Sequence, residues 1–318
     1  MTRVALFGNG WIQDFHARGV LAHPRGELVA VANHREESAR TFAERHGIPR
    51  VTTDWRGLAA DPEVEAAIVA TPNALHEPQA VALLEAGKHV LVEKPMATTV
   101  AGCDRMLAAS RASGAALMVA HCWRFREEVI ALRDTIATGG LGEIVKTRGY
   151  GVHAGWGPSG WFTDPDLAGG GALPDMGVHA IDTARFLLGD PVPTRVCAAI
   201  GTRYSEGRYT VDDDGVLLIG WSNGTNSLVE CGWWQPHLGG LEADTEVYGT
   251  GGYRRIWPPE ELADGVEHCT QPMYTAQVRE FLDSLAEGRE PHPNGEDGRI
   301  VIQVVERAYA SAREGSPS

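Results

Sequence analysis

Arg3-Val4-Ala5-Leu6-Phe7-Gly8-Asn9-Gly10 is an apolar run that ends in two glycines one residue apart. The run suits a buried strand. The glycine pair suits a tight turn into a helix, where backbone N–H groups can meet an anion such as a pyrophosphate. Position 13 is Gln, so the third small residue of the usual G-x-G-x-x-G pattern is missing, and alone the turn is also compatible with a plain strand-to-helix connection. Its surroundings decide between the two. Strand-like runs at 4–7, 28–32, 66–71, 89–92 and 117–120 alternate with helix-period segments, the pattern of a parallel sheet wrapped by helices. Asp54 and Asp61-Pro62 punctuate one helical segment, and Thr98-Thr99 opens another. Residues 1–120 therefore read as a doubly wound Rossmann domain for a dinucleotide. Gly8, Asn9, Gly10, Trp11 and Ile12 would line its pyrophosphate turn.

From residue 121 the pattern changes. A helix is expected over 126–137, then strands at 144–153, 192–204, 212–221, 224–234 and 244–257, the last four with no helix between them. Such a succession predicts an antiparallel sheet. Further helices are expected at 176–188, 275–287 and 298–313, the last with an apolar stripe at 300, 301, 304, 305, 308 and 312. The fold class is α/β: an N-terminal Rossmann domain, then residues 121–318 as a substrate-binding and oligomerisation domain with an open, mainly antiparallel sheet.

Composition narrows the function. The chain has 318 residues, 43% hydrophobic and 22% charged, enough for two cored domains. A formal charge of -14 argues against nucleic acid and anionic membranes as partners and leaves small molecules. Five cysteines without a CxxC pair read as buried thiols in a reducing compartment, and the absence of a signal segment places the protein in the cytoplasm. No metal is expected: the histidines show no ligand spacing, and Asp212-Asp213-Asp214 lacks the glycine and distal Glu of a calcium loop.

Two distant stretches carry the chemistry. Glu93-Lys94-Pro95 closes the strand-like run 89–92, while Asp175 and His179 follow the glycines at 169, 170 and 171. Oxidising a secondary alcohol puts negative charge on oxygen, so a cation beside that oxygen and a base for its proton both lower the barrier. Lys94 would supply the cation, His179 the proton exchange, and Asp175 an orienting or proton-sharing carboxylate. At the end of the second strand Asn33-His34-Arg35 stands where an NAD binder usually has an acid. Asn33 and Arg35 suit a 2′-phosphate, so NADP is expected ahead of NAD.

The series Gly8-Asn9-Gly10, Ala70-Thr71-Pro72-Asn73 with His76, Gly87-Lys88-His89 running into Glu93-Lys94-Pro95, and Asp175-Met176-Gly177-Val178-His179 with Asp182 resembles the glucose-fructose oxidoreductase, inositol dehydrogenase and rhizopine catabolism (Gfo/Idh/MocA) family. The resemblance spans both halves. It implies a Rossmann domain joined to a domain whose open sheet forms homodimers or homotetramers, with Lys94 and His179 bracketing the substrate hydroxyl and a cis bond before Pro95. Thr71, Pro72, Asn73, His76, Glu93 and Lys94 would border the nicotinamide half. His121 and Arg124 follow the last Rossmann strand, where similar enzymes place substrate residues; Arg124 is equally suited to pairing with an interdomain carboxylate.

The glycine-rich segment 154–174, with Trp156, Trp161 and Phe162, reads as a substrate-covering loop, Trp161 offering its face to sugar C–H groups. Relatives often have Trp-Arg where this chain has Trp161-Phe162, so the arginine's contact does not carry over. Trp233-Trp234-Gln235-Pro236-His237 is suited to an interface or to the site.

The expected function is hydride transfer between NADP or NAD and a secondary alcohol or ketone of a sugar, cyclitol or related molecule. The alternatives are a non-catalytic dinucleotide-binding sensor and an enzyme acting on a dihydrodiol- or pyrrole-type substrate.

Overall fold

The computed structural model describes residues 1–153, 157–235, 242–257 and 269–314. The chain divides into two units, Met1–Cys122 with Thr270–Arg299, and Trp123–Cys269 with Ile300–Ser318.

The first unit is built on β1 (Thr2–Phe7), β2 (Gly26–Ala32), β3 (Val51–Thr52), β4 (Ala66–Val69), β5 (His89–Glu93) and β6 (Leu117–Ala120). They form one parallel sheet in the order β3-β2-β1-β4-β5-β6, which reverses at β1/β4. Ligands of doubly wound folds bind at the carboxyl ends of the strands beside such a switch point. Central β1 is covered on both faces, which is why Val4, Ala5, Leu6 and Phe7 are an unbroken apolar run with no exposed surface. Five helices follow the strands: α1 (Trp11–Ala22), α2 (Glu36–His46), α3 (Trp55–Ala60), α4 (Asn73–Glu85) and α5 (Val100–Ser113). Asp54 caps α3 by accepting from the Gly57 N–H at 3.0 Å, and Thr99 caps α5 by accepting from the Gly102 N–H at 3.0 Å.

The second unit contains α6 (Glu127–Ala137), β7 (Ile144–Val152), α7 (Pro165–Ala168), a π-helical turn (Leu173–Gly177) continuous with α8 (Val178–Leu187), then β8 (Pro193–Gly201), β9 (Asp214–Trp221), β10 (Asn226–Gly232), β11 (Ala243–Gly249) and β12 (Gly252–Arg255). The sheet order is β12-β11-β7-β10-β9-β8, with β7 and β10 parallel and every other pair antiparallel. The sheet is mainly antiparallel, as expected, and its one parallel pair arises because β7 inserts between two strands that follow it far along the chain. The single strand expected over 244–257 is a hairpin, reversing at Thr250-Gly251.

One face of this sheet is the core. Leu217, Ile219, Trp221 and Val229 pack with Leu173, Val178 and Ile181 and with the stripe Val301, Val304, Val305 and Ala308 of the C-terminal helix Gly295–Glu314. Each buried Val, Leu or Ile among them contributes roughly 1.5–3 kcal/mol by leaving water. Val216 and Leu218, which alternate with the buried residues of β9, are exposed on the other face.

Two expectations need correction. Residues 270–299 were grouped with the second domain, but helix α9 (Gln271–Glu287) belongs to the first unit. Val278, Phe281 and Leu282 of α9 are fully buried. Val278 lies so close to α1 that a Cβ added to Gly19 would stand 2.9 Å from its methyl group. Of the cysteines, Cys103, Cys122 and Cys231 are buried as expected, but Cys197 is exposed and Cys269 partly so.

Candidate functional site

The first unit places its expected residues along the carboxyl ends of β1, β2, β4 and β5. Gly8 has φ +95°, and a Cβ there would lie 2.3 Å from the Ala70 carbonyl oxygen, so only glycine lets the β1 turn press against the end of β4. Gly10, the residue before α1, has extended backbone and no side-chain cap, and no atom lies within 4 Å of where its Cβ would be. Backbone donors at the start of α1 are therefore approachable, a cradle that suits a pyrophosphate. Trp11 is 65% exposed beside it, and Ile12 is half-buried.

At the end of β2, the Ser38 hydroxyl accepts from Asn9 Nδ2 at 2.5 Å and from Asn33 Nδ2 at 3.4 Å. Ser38, absent from the sequence reading, thereby ties the glycine turn to the β2 loop. Asn9, Arg35, Ser38 and Arg45 line one groove, with Glu37 among them. Arg45 binds Asp14, and Arg40 binds Glu36. Arg35 is exposed, and its guanidinium pairs with no carboxylate among the described residues.

Around Lys94 the loop is braced by histidines. The Lys94–Pro95 bond is cis, as the resemblance implied. His76, on α4, sets Nδ1 2.8 Å from the Pro95 carbonyl oxygen and Nε2 2.8 Å from that of Thr71. Burial pushes its pKa down, against the pull of the two carbonyls, and a neutral ring can donate to only one of the two oxygens, so the imidazole lies between the two loops but bonds one of them at a time. Glu93 is buried with an oxygen 2.7 Å from His16 Nε2, and its other oxygen accepts from the Lys94 N–H at 3.1 Å. Burial raises the Glu93 pKa, but the His16 hydrogen bond and the charges of His16 and Lys94 overcome it and hold the carboxyl below its ordinary range. Thr71 binds Gln79 through its hydroxyl at 2.8 Å, Pro72 and Asn73 open α4, and His121 is buried at the end of β6.

The second unit assembles a cluster round Asp175. Glycines make it possible. A Cβ at Gly151 of β7 would lie 2.1 Å from the Met176 carbonyl oxygen, and one at Gly177 would lie 2.9 Å from Cβ of Cys231. The π-helical turn therefore sits directly on β7 and β10. Asp212 pins the preceding loop by accepting from the N–H groups of Gly171 and Leu173, both at 2.8 Å, and from the Tyr309 hydroxyl at 2.6 Å. Asp213 accepts from Tyr209 Oη at 3.0 Å, and Asp214 from Gln235 Nε2 at 3.1 Å, so the aspartate run is committed to loop anchoring.

Asp175 Oδ2 accepts from Trp233 Nε1 at 3.0 Å and lies 3.1 Å from His153 Nε2. The other ring nitrogen of His153 is 3.3 Å from Glu242 Oε1. Burial lowers the His153 pKa, yet the two carboxylates outweigh it and the net direction is up. His179, four residues after Asp175 on α8, is buried, its ring centroid 6.5 Å from that of Trp123.

Sequence reasoning missed His153, Trp233 as an Asp175 donor, and Glu242. The one available signal was Gly149-x-Gly151 inside a strand, which marks close backbone approach. Arg124 is committed within its own unit: Nε donates to Asp182 Oδ2 at 2.9 Å and Nη2 to Oδ1 at 2.7 Å, with the guanidinium over Phe186. Its carboxylate partner is thus intradomain. Trp161 stacks on Phe162 with centroids 3.9 Å apart. Trp156, Pro236 and His237 lie outside the described residues.

Residues 2–121 match the model of an oxidoreductase family with an NAD-binding Rossmann fold, and residues 129–255 match the GFO/IDH/MocA C-terminal domain. The chain belongs to the Gfo/Idh/MocA family. Among its Gfo/Idh/MocA-type relatives, levoglucosan dehydrogenase of Pseudarthrobacter phenanthrenivorans is 30% identical over 98% of this chain and 96% of its own. A 1,5-anhydro-D-fructose reductase of Ensifer adhaerens is 35% identical over 67% of this chain, and the match spans 64% of that relative's length. The crystal structure of GenD2 from gentamicin A biosynthesis, in complex with NAD, superposes with a TM-score of 0.88 at 30% identity over 99% of this chain and 95% of that one. As a Gfo/Idh/MocA oxidoreductase the chain has a glycine cradle that fits a dinucleotide pyrophosphate.

Proposed function

We propose that this protein moves hydride between a nicotinamide dinucleotide, NADP in preference to NAD, and the carbinol carbon of a sugar, cyclitol or related small polyol. The observation that carries the reading is Asp175, a nearly buried carboxylate held by two side chains and followed one helical turn later by His179. A buried carboxylate so fixed is costly unless its charge is used or paired. The names of the levoglucosan and anhydrofructose enzymes support the sugar class.

The dinucleotide, when bound, accepts or gives the hydride. The residues of this chain handle the proton. In the oxidising direction the substrate C–H electron pair leaves as hydride, the O–H bond breaks, its proton passes to the neutral His179 imidazole, and the C=O bond forms. The Lys94 ammonium steadies negative charge on that oxygen, and Asp175 compensates the positive charge gained on the imidazole. Thr71 and Asn73 flank the nicotinamide half, and Trp161 covers the substrate. Arg35 and Ser38, with Asn33 in place of an acid, favour a 2′-phosphate. We assign the open face of β9, with Val216 and Leu218, to a second copy of the chain, and the cytoplasm as the place of action.

The test follows nicotinamide absorbance with NAD and NADP offered separately against aldoses, ketoses, anhydrosugars and inositols, beside His179→Ala. A substrate-dependent signal that falls by ~10²- to 10⁴-fold in the variant, with coenzyme binding retained, is expected. Silence across the panel despite tight coenzyme binding would favour a sensor role, and a variant with normal turnover would remove His179 from the mechanism.

A further inference from the structure

We propose that His153 is a positioning residue that fixes both the direction and the protonation state of the Asp175 carboxylate, with Glu242 holding the far side of its imidazole. The inference rests on the reading of Asp175 as part of the proton-handling group. Among the described residues, Asp175 Oδ2 faces Trp233 Nε1 at 3.0 Å and His153 Nε2 at 3.1 Å. The indole can only donate. The imidazole is conditional, because its opposite nitrogen faces the Glu242 carboxylate at 3.3 Å. A neutral imidazole carries one N–H and can serve only one of the two carboxylates; the imidazolium serves both.

Two carboxylates therefore face this ring, Asp175 from the π-helical turn and Glu242 from the chain just before β11. Together they favour a row of charges, minus, plus, minus, within the second unit. While His153 is charged, Oδ2 receives two hydrogen bonds and Asp175 stays ionised and oriented. Once His153 loses its proton, its remaining N–H serves Asp175 or Glu242 but not both, and in the tautomer that serves Glu242 the Asp175 carboxylate loses this donor. Activity should then fall on the alkaline side with the titration of His153. The packing that builds the row depends on a glycine. Gly151 brings the Met176 carbonyl onto β7 two residues before His153.

The direct measurement is the His153 ring C–H titration by NMR in the coenzyme-free protein, assigned by loss of the signal in His153→Gln. The midpoint should lie above the ordinary histidine value of 6.5 and should drop in both Asp175→Asn and Glu242→Gln. Kinetically, His153→Gln keeps one donor but cannot be charged. It should lower kcat by roughly 10- to 100-fold, the range for groups that orient a functional side chain, with little change in KM, and should flatten the alkaline limb of the pH profile. Glu242→Gln should shift that limb to lower pH while leaving kcat on the plateau nearly intact.

A His153 midpoint indifferent to Asp175→Asn and Glu242→Gln would overturn the proposal, as would a His153→Gln enzyme with the parent kcat and pH profile. Failure of the underlying reading looks different. Asp175→Asn would then retain full turnover even if the NMR coupling were present.

Discussion

His76 and His16 in the first unit, and His153 in the second, are all buried histidines that hold a functional loop, but they hold different parts of it. His76 faces the carbonyl oxygens of Thr71 and Pro95, and His16 the carboxylate of Glu93, so both brace the frame on either side of Lys94. His153 faces the Asp175 carboxylate itself. A brace on the frame is replaceable in principle by anything that restores the same shape, and its loss is read as lost stability. A hydrogen bond to the carboxylate we propose as proton-handling also sets that group's charge, and its loss is read in the pH dependence of turnover. Four substitutions probe that difference, two against the frames and two in a groove whose side chains have no frame at all.

The largest effect is expected where the second unit's frame is backbone against backbone. Gly151→Val would drive a Cβ to within 2.1 Å of the Met176 carbonyl oxygen, which belongs to a turn already pinned by Asp212 and so unable to yield. A loss at or above about 4 kcal/mol is expected, the size reserved for a few severe mechanisms. Urea unfolding of the variant checks it. A Gly151→Val protein as stable as its parent would mean that the π-helical turn is not seated on β7.

Next comes the first unit's frame. His16→Leu removes the partner of Glu93 and leaves a buried carboxylate with the Lys94 N–H, an arrangement that typically costs ~3 kcal/mol or more. The pH sign follows from the direction of the shift. Glu93 is held below its ordinary value of 4.5, so the stability it contributes is present above 4.5 and is lost as pH falls through the lower, folded value. In His16→Leu that depression is removed, and acid unfolding should begin at higher pH than in the parent. Identical acid limbs for the two proteins would show that the His16 contact does not support Glu93.

These frames also mark the boundary of what sequence alone discloses. The sheet of the first unit was legible because β1, β4, β5 and β6 are apolar runs whose period needs no knowledge of their neighbours. Asp175 and His179 were legible because four residues on one winding stay together wherever the helix goes. Nothing local announces that His16 will meet Glu93, or that Trp233 will donate to Asp175 across 58 residues. Such partners are chosen by the packing of separate elements. The same reason hid the unit to which α9 belongs, since its Val278 finds Gly19 of α1 only after the chain has completed its second sheet. Two-residue β3 was missed because it is too short to show a period, and the parallel β7/β10 pair because strand order is a long-range property. Ser38 was overlooked because a lone serine on a helix's first turn has a bland role by default.

The smallest effect is expected at Arg35, and it sharpens the comparison because no frame holds this residue. Its side chain is exposed in the groove with Asn9 and Ser38, while neighbouring Glu36 is engaged by Arg40. An unsupported guanidinium adds little to folding, so Arg35→Ala should leave unfolding midpoints unchanged. A charged hydrogen bond to a 2′-phosphate contributes about 2 kcal/mol, so the same substitution should weaken NADPH binding roughly thirtyfold and NADH binding hardly at all. Glu37 lines the same groove and opposes a phosphate, which makes Glu37→Gln the converse probe: it should tighten NADPH binding in the parent and recover part of the loss in Arg35→Ala. Equal losses for the two coenzymes in Arg35→Ala would assign the groove to the common part of the dinucleotide and leave NAD, as seen with GenD2, the better choice.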